Sequence, residues 1–250
     1  MRLLILSDIH ANLEALEACL DAAPEYDQVY NLGDIVGYGA NPNEVTERAR
    51  ELGSVFVRGN HDKACSGLSD LHDFNPIASM AALWTREKLF DDHLQFLREL
   101  PQGPLSPIDN VHLVHGSPRD EDEYILMASD AYAMLSQSTV SLIFFGHTHV
   151  QRGFILEVEG QGKALAPSYK SSKGKQTVKL EVKPNKKYLV NPGSVGQPRD
   201  NDPRAAFLIY DTDAGVITFY RVPYDIQLAQ EKIFAAGLPE RLAARLEEGR

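Results

Sequence analysis

Ser54-Val55-Phe56-Val57-Arg58-Gly59-Asn60-His61-Asp62 is the stretch on which the reading of this chain turns. Residues 54–57 form a short run, β-branched and aromatic, that reads as a buried strand. Gly59, Asn60, His61 and Asp62 then stand where the strand ends. In an α/β sheet, the crevice beyond the strand ends is where ligands bind. Alone, the tetrapeptide reads equally well as a Gly-Asn turn followed by a solvated His and Asp.

Working outward, the same style recurs. Residues 3–6 read as a first strand, with Ser7-Asp8-Ile9-His10 at its end. A helix follows from Asn12, with Leu13, Leu16, Cys19 and Leu20 at helical spacing and Asn12 as its N-cap. Residues 28–32 are a second strand, ending in Gly33-Asp34. The glycine-rich loop 35–40 leads to Asn41-Pro42-Asn43-Glu44, which starts another helix. Its glycines suit either a close backbone approach to a ligand or a tight turn. The order β-α-β-α-β implies a parallel sheet with crossover helices.

Beyond the opening stretch, residues 63–104 read as a helical excursion, with helices from Asn75-Pro76 to Leu89 and from Asp91 to Leu100. Residues 111–114 return as a strand ending in His115-Gly116. A short helix near 129–137 precedes a strand at 141–145, which ends in Gly146-His147-Thr148-His149. From 150 onward, strands are expected at 153–158, 177–183, 187–191, 205–211 and 216–222, as an antiparallel or mixed second sheet. Residues 159–176, rich in Gly, Ser and Lys, read as a mobile loop or a hairpin tip. Helices near 225–236 and 239–248 close the chain. The expected organisation is a single domain over 1–250, its two sheets sharing a core.

Composition narrows the classes. The chain has 250 residues and a net charge of −10, which disfavours a long nucleic-acid partner, since that needs a basic face. Eight lysines nevertheless crowd residues 163–187. They read as a solvated face or as an attractor for a polyphosphate or nucleotide. No apolar run approaches the ~18 residues of a membrane span. The opening residues are a strand rather than a signal peptide, and Cys19 and Cys65 have no metal or redox spacing. A cytoplasmic protein with reduced thiols is expected.

Asp8, His10, Asp34, Asn60, His61, His115, His147 and His149 all follow strands, and five of the eight histidines are among them. Helix caps and turns account for Asp and Asn but do not call for histidine. Imidazole and carboxylate together suit divalent transition metals. Asp8 and His10 are two apart, as are His147 and His149. In extended chain each pair points one way, so each pair is expected to reach one centre. His72, His93 and His112 fall outside the pattern and are read as non-ligands.

These blocks resemble, in order, the signature of the metallophosphoesterase (calcineurin-like phosphoesterase) superfamily: Asp8-x-His10, Gly33-Asp34, Gly59-Asn60-His61-Asp62, His115-Gly116 and Gly146-His147-Thr148-His149. Asn191-Pro192-Gly193-Ser194-Val195-Gly196 extends the likeness to its compact bacterial and archaeal phosphodiesterase branch. The resemblance implies an α/β fold, a four-layer α/β/β/α sandwich of two mixed sheets flanked by helices. It implies two divalent transition-metal ions at the strand ends, with Mn foremost and Fe, Ni, Zn or Co as alternatives. Asp8, His10, Asp34 and His149 correspond to the first metal's ligands. Asp34, Asn60, His115 and His147 correspond to the second's, with Asp34 bridging.

Two ions ~3.5–4 Å apart can grip both oxygens of a phosphoryl displacement and lower a bound water's pKa from roughly 15.7 towards ~7. His61, which the resemblance sets over the leaving group, is expected as a general acid or as a cation for the phosphoryl oxygens. Asp62 either orients the His61 ring or pairs with an arginine. Asn12 caps a helix and also stands near the metals. Arg199 either forks onto a second phosphate or pairs with Asp200 or Asp202.

The expected activity is hydrolysis of phosphodiester bonds in small soluble substrates by a metal-activated hydroxide. The alternatives are a dinucleoside polyphosphate hydrolase, a phosphoprotein phosphatase, and a protein-binding scaffold that has lost catalysis. Oligomeric state is open.

Overall fold

Alternation along single strands explains the layering. A computed structural model describes residues 1–53, 55–157 and 160–250. Ser54 and Val158, expected in strands, and Glu159, at the head of the Gly/Ser/Lys-rich stretch, lie outside the described residues. Along β1 (Arg2–Leu6), Leu3 and Ile5 face one core while Leu4 and Leu6 face another, as a period of two demands. β1 lies at the centre of a six-stranded sheet. Its order is β3 (Val55–Phe56), β2 (Gln28–Asn31), β1, β10 (Ala205–Asp211), β11 (Val216–Val222) and β8 (Gln176–Glu181). β1, β2 and β3 are parallel, as the β-α-β-α-β order implies, and β10 runs antiparallel to β1.

The second sheet has five strands: β4 (Val111–Leu113), β5 (Leu142–Phe144), β9 (Lys186–Asn191), β6 (Arg152–Glu157) and β7 (Gly162–Leu165). β4, β5 and β9 are parallel, while β6 is antiparallel to both β9 and β7. Both sheets are therefore mixed. The strands after residue 150 do not make a sheet of their own. β6, β7 and β9 extend β4–β5, while β8, β10 and β11 extend β1–β3. Sequence pattern marks a strand but not its neighbour, which long-range pairing decides. β7 lies inside the stretch expected as a loop or hairpin tip, and it is the returning arm of a hairpin with β6.

Leu3, Ile5, Tyr30, Phe144, Tyr188, Leu208 and Phe219 fill the space between the sheets. On the outer face of the first sheet, α1 (Leu13–Ala22) and α2 (Pro42–Glu51) bury Leu16, Cys19, Val45 and Ala49. α6 (Ala128–Gln137) covers the second sheet with Ala131, Met134 and Leu135. The result is four layers, α/β/β/α. α3 (Asn60–Cys65), α4 (Pro76–Lys88) and α5 (Asp91–Glu99) make up the helical excursion. α7 (Ile226–Ala235) and α8 (Glu240–Glu248) pack Ile233, Leu242 and Leu246 near Tyr38 and α4. Among the described residues, no helix is long and apolar enough to cross a membrane. Cys19 and Cys65 are free and buried.

Candidate metal centre

The chain leaves β1, β2 and β5 through left-handed backbone. Asp8, His10, Asp34, His147 and His149 have φ of 52°, 50°, 55°, 65° and 58°. Non-glycine residues there are strained by roughly 1–3 kcal/mol each and persist only where surrounding structure imposes the conformation. Here it is imposed by backbone bonds between loops: Asp8 N–H to Gly33 O at 3.0 Å, His10 N–H to Asp34 O at 2.9 Å, and Gly196 N–H to Asp8 O at 3.0 Å. The extended-chain expectation for the i, i+2 pairs is therefore corrected. These residues are not extended, and His147 and His149 do not share a centre.

Donor atoms gather into two buried groups. Asp8, His10, Asp34 and His149 form one, and Asp34, His115 and His147 form the other, each with all its donor atoms within 4.8 Å of one another. The two groups share Asp34. Its Oδ1 accepts the His61 backbone N–H at 2.8 Å. Its Oδ2 is buried without a hydrogen-bond partner, and it lies 3.5 Å from His10 Nε2 and 3.4 Å from His115 Nε2. Asn60 joins the second group through Oδ1, 3.2 Å from His115 Nε2.

The ring partners say which nitrogens carry lone pairs. Nδ1–H of His10 donates to Val36 O at 3.2 Å, that of His149 to Gln197 O at 2.7 Å, and that of His115 to Leu32 O at 2.7 Å. Each of these rings then turns Nε2 inward. His147 does the reverse, donating through Nε2–H to Asp122 O at 3.1 Å, which leaves Nδ1 free to ligate. Backbone acceptors that fix a ring in this way are the usual second layer of a metal site.

The residues present fit divalent cations. His10 Nε2 and His149 Nε2 face each other at 3.1 Å, and burial holds both rings far below the ordinary histidine pKa, so both are neutral. Two lone pairs aimed at one point repel unless a cation lies between them. Burial and the neighbouring Asp34 charge push the Asp8 carboxyl up to about 7, which marks negative charge in want of a counter-ion. In the second group burial pulls His115 down, but the Asp34 carboxylate overrides it and lifts the ring to about 10. A proton on His115 and a metal ion are alternative ways to satisfy the same oxygen. His147, by contrast, is held at about 3 by burial and the His115 charge.

His61 starts α3 next to Asn60, with Gly59 at the N-cap. Burial brings its pKa down to about 4; Asp34 opposes this, and the charges of Arg199 and His115 reinforce it. Its Nδ1 is buried without a partner. The ring packs between Tyr38 and Phe74, with centroids at 4.3 and 4.8 Å. Glycine is required on both sides of this joint. A Cβ at Gly59 would stand 2.1 Å from Asp34 Oδ1, and one at Gly37, where φ is +90°, would stand 2.6 Å from His61 Nδ1.

Asp62 accepts four backbone N–H groups: Asp34 at 2.8 Å, Ile35 at 2.8 Å, Val36 at 3.2 Å and Gly59 at 3.1 Å. Both its oxygens are spent clamping the Asp34 loop to the start of α3, rather than on the His61 ring or an arginine. Asn12 caps α1 through Oδ1 to Ala15 N–H at 3.1 Å, while its Nδ2 donates to Gly196 O at 2.9 Å. Arg199 pairs with neither Asp200 nor Asp202; those carboxylates bind Arg221 and Arg204. Its guanidinium lies 5.7 Å from the Tyr38 ring centre, and Nε is buried without a partner.

Arg58 is largely buried and donates to Glu121 at 2.9 Å, beside Lys63. His93 sits between Asn43 and Glu47, 3.0 Å from each. It, His72 and His112 lie outside both donor groups. Sequence reasoning missed Tyr38, Phe74, Tyr124 and Arg245 as neighbours of the site. Only Tyr38, within its glycine loop, carried a sequence signal.

Comparison with known proteins places these features. The calcineurin-like phosphoesterase superfamily domain matches residues 1–215. A metallophosphoesterase of known structure from Sphaerobacter thermophilus is 42% identical, with a TM-score of 0.86 over 100% of this chain and 99% of that one. An uncharacterized protein of Methanocaldococcus jannaschii is 38% identical over 98% of this chain and 97% of its own. A hypothetical protein of Pyrococcus horikoshii, 22% identical, shares the fold with a TM-score of 0.78 over 100% of this chain and 98% of that one.

Proposed function

The chain belongs to the calcineurin-like phosphoesterase superfamily, and we propose that within it the chain hydrolyses phosphodiester bonds of small soluble substrates, in the cytoplasm, with two divalent transition-metal ions. One observation carries this reading: a single carboxylate oxygen, Asp34 Oδ2, is orphaned between two buried donor groups. Asp8, His10, Asp34 and His149 would hold one ion; Asp34, Asn60, His115 and His147 would hold the other. Manganese is the first candidate, with iron, nickel, zinc and cobalt compatible with the same donors. When bound, such ions supply positive charge against the phosphate oxygens and a water of lowered pKa.

The chain's own groups do the rest. His61, neutral in its buried setting, donates an N–H to the phosphoryl or leaving oxygen. An anionic phosphate beside it favours the imidazolium, so substrate binding readies it to protonate the leaving alkoxide. Arg199 offers its unspent N–H groups to the non-bridging oxygens. Asn12 acts on substrate through the backbone it holds at Gly196, since both its side-chain atoms are engaged. Asp62 keeps the shared carboxylate in place.

A second reading has one observation in its favour. The guanidiniums of Arg199 and Arg245 lie 5.7 and 5.9 Å from the Tyr38 ring centre. Arg199 donates to Gln197 Oε1 and Arg245 to Arg250 O, and among the described residues neither is paired with an Asp or Glu side chain. Two such charges suit a second phosphate, as in a dinucleoside polyphosphate.

Metal-stripped protein resupplied with Mn²⁺ distinguishes the readings. Assayed on a phosphodiester, a phosphomonoester, a cyclic nucleotide and a dinucleoside polyphosphate, it should turn over the diester fastest and lose activity to a chelator. A faster polyphosphate selects the second reading. No turnover with any of the five metals leaves a scaffold.

A further inference from the structure

Beside Asn60, His61 and His147 opens a cavity of about 200 Å³. Its inner walls are aromatic. Tyr124 stacks on His147 at 3.7 Å between centroids, Phe74 meets the edge of His61, and Tyr38 lies between Phe74's neighbour His61 and Arg199. Tyr124 is half-exposed, so its ring presents a face to whatever enters. The exposed Asp70 and Asp73 line its rim, and Asp122 lies beside His147. Lys63 also lines the cavity, but its ammonium is taken up by Glu121 at 3.0 Å and Asp122 at 2.5 Å.

The cavity is thus polarised. Its inner end meets the candidate metal centre and Arg199, where an anion belongs. Its outer end holds carboxylates with no free cation among the lining residues. Its volume is below the roughly 300–1,000 Å³ of sites for drug-sized ligands, and suits a group no larger than one ring.

We propose, resting on the phosphodiesterase reading, that this cavity receives the leaving alcohol, and that it selects a small alcohol without negative charge, a cationic one above all. Aromatic faces attract cations, and carboxylates at the rim repel a second anion. A polyphosphate extending the same way would set its next phosphate against Asp70 and Asp73.

Three leaving alcohols of equal size but different charge test this. They are choline, 3,3-dimethylbutanol and 2-hydroxyethanesulfonate, each as its methyl phosphodiester. With manganese-loaded protein, kcat/KM should fall from the choline to the neutral to the sulfonate ester, with about tenfold or more between the first and last. Calorimetric dissociation constants for the three corresponding phosphomonoesters, measured on the same protein, should follow the same order without any turnover. Asp70→Lys with Asp73→Lys should flatten or reverse the series. Phe74→Ala should lower kcat/KM for the choline ester about fivefold more than for the neutral ester. A sulfonate ester that binds and reacts as well as the choline ester overturns the proposal, as does a double lysine variant that keeps the wild-type order. Absence of turnover with the binding order intact defeats the phosphodiesterase reading but not the pocket.

Discussion

Around Asp8, His10 and His149 two neutral imidazoles aim lone pairs at each other across 3.1 Å. Around His115 and His147 one imidazole takes a proton and forms an ion pair with the shared Asp34, 3.4 Å away. In the first group burial keeps both rings neutral although Asp34 lies 3.5 Å from His10 and Asp8 3.4 Å from His149; in the second a proton on His115 can answer the Asp34 charge. Both are buried, and both hang on loops after parallel strands. The difference lies in what surrounds each ring. Asp34 favours a proton on both His10 and His115, but at His10 burial outweighs it, with the charges of His61 and Arg199 adding to the effect, whereas at His115 Asp34 and Asp8 together outweigh burial. Similar donor sets can thus differ in how much they depend on a bound cation, and the shared carboxylate is where that difference is felt.

Substitutions can break this comparison or sharpen it. Asp34→Asn strikes both groups at once. It should lower kcat by about 10⁴-fold or more, equivalent to about 5.5 kcal/mol, and metal content per chain should fall well below wild type while circular dichroism stays native. Retained activity with full metal content would show that the shared oxygen is dispensable. His61→Ala removes a group that belongs to neither donor set, so it should cost roughly 10²–10⁴-fold in turnover with metal content unchanged. Loss of metal instead would place His61 among the ligands.

Asp62→Ala leaves four backbone N–H groups without their acceptor, and should destabilise the fold by about 4 kcal/mol, read by denaturant unfolding. Wild-type stability would mean that the Asp34 loop does not need its clamp. The smallest effects test the asymmetry itself. In chelator-treated protein, His115→Gln removes the cation facing Asp34 and should cost about 3 kcal/mol. His149→Gln relieves a lone-pair conflict and should cost less than about 1 kcal/mol. Equal losses in the two variants would erase the distinction between the groups.

Much of the architecture was legible in the residues. Leu3-Leu4-Ile5-Leu6 read as a strand, and it is one, buried on both faces. Asn12 and Asn75 announced helix starts, and both cap through their side chains. The strands Ala205–Asp211 and Val216–Val222 fall where their patterns put them. The partition of strands between sheets was not legible, because alternation marks a strand's faces without naming its neighbours. β7 was hidden because Gly162-Lys163-Ala164-Leu165 is largely exposed and so carries no alternation. The donor residues stood out by type and by their place after strands. The geometry joining them did not, since a left-handed residue other than glycine leaves no mark in sequence. Asp62 looked like a partner for a side chain, and the four backbone groups it holds could not be guessed from its neighbours in the chain.

Local chemistry settled which residues are able to bind metal and phosphate, because side-chain type and a period of two are properties of a short stretch. Spacing alone drew His147 and His149, two residues apart, to one centre; the resemblance divided them, and tertiary structure shows the division, with His10 meeting His149 from 139 positions away. Those outcomes depend on backbone bonds between loops that converge only once both sheets have assembled, and such bonds have no counterpart in the order of the residues.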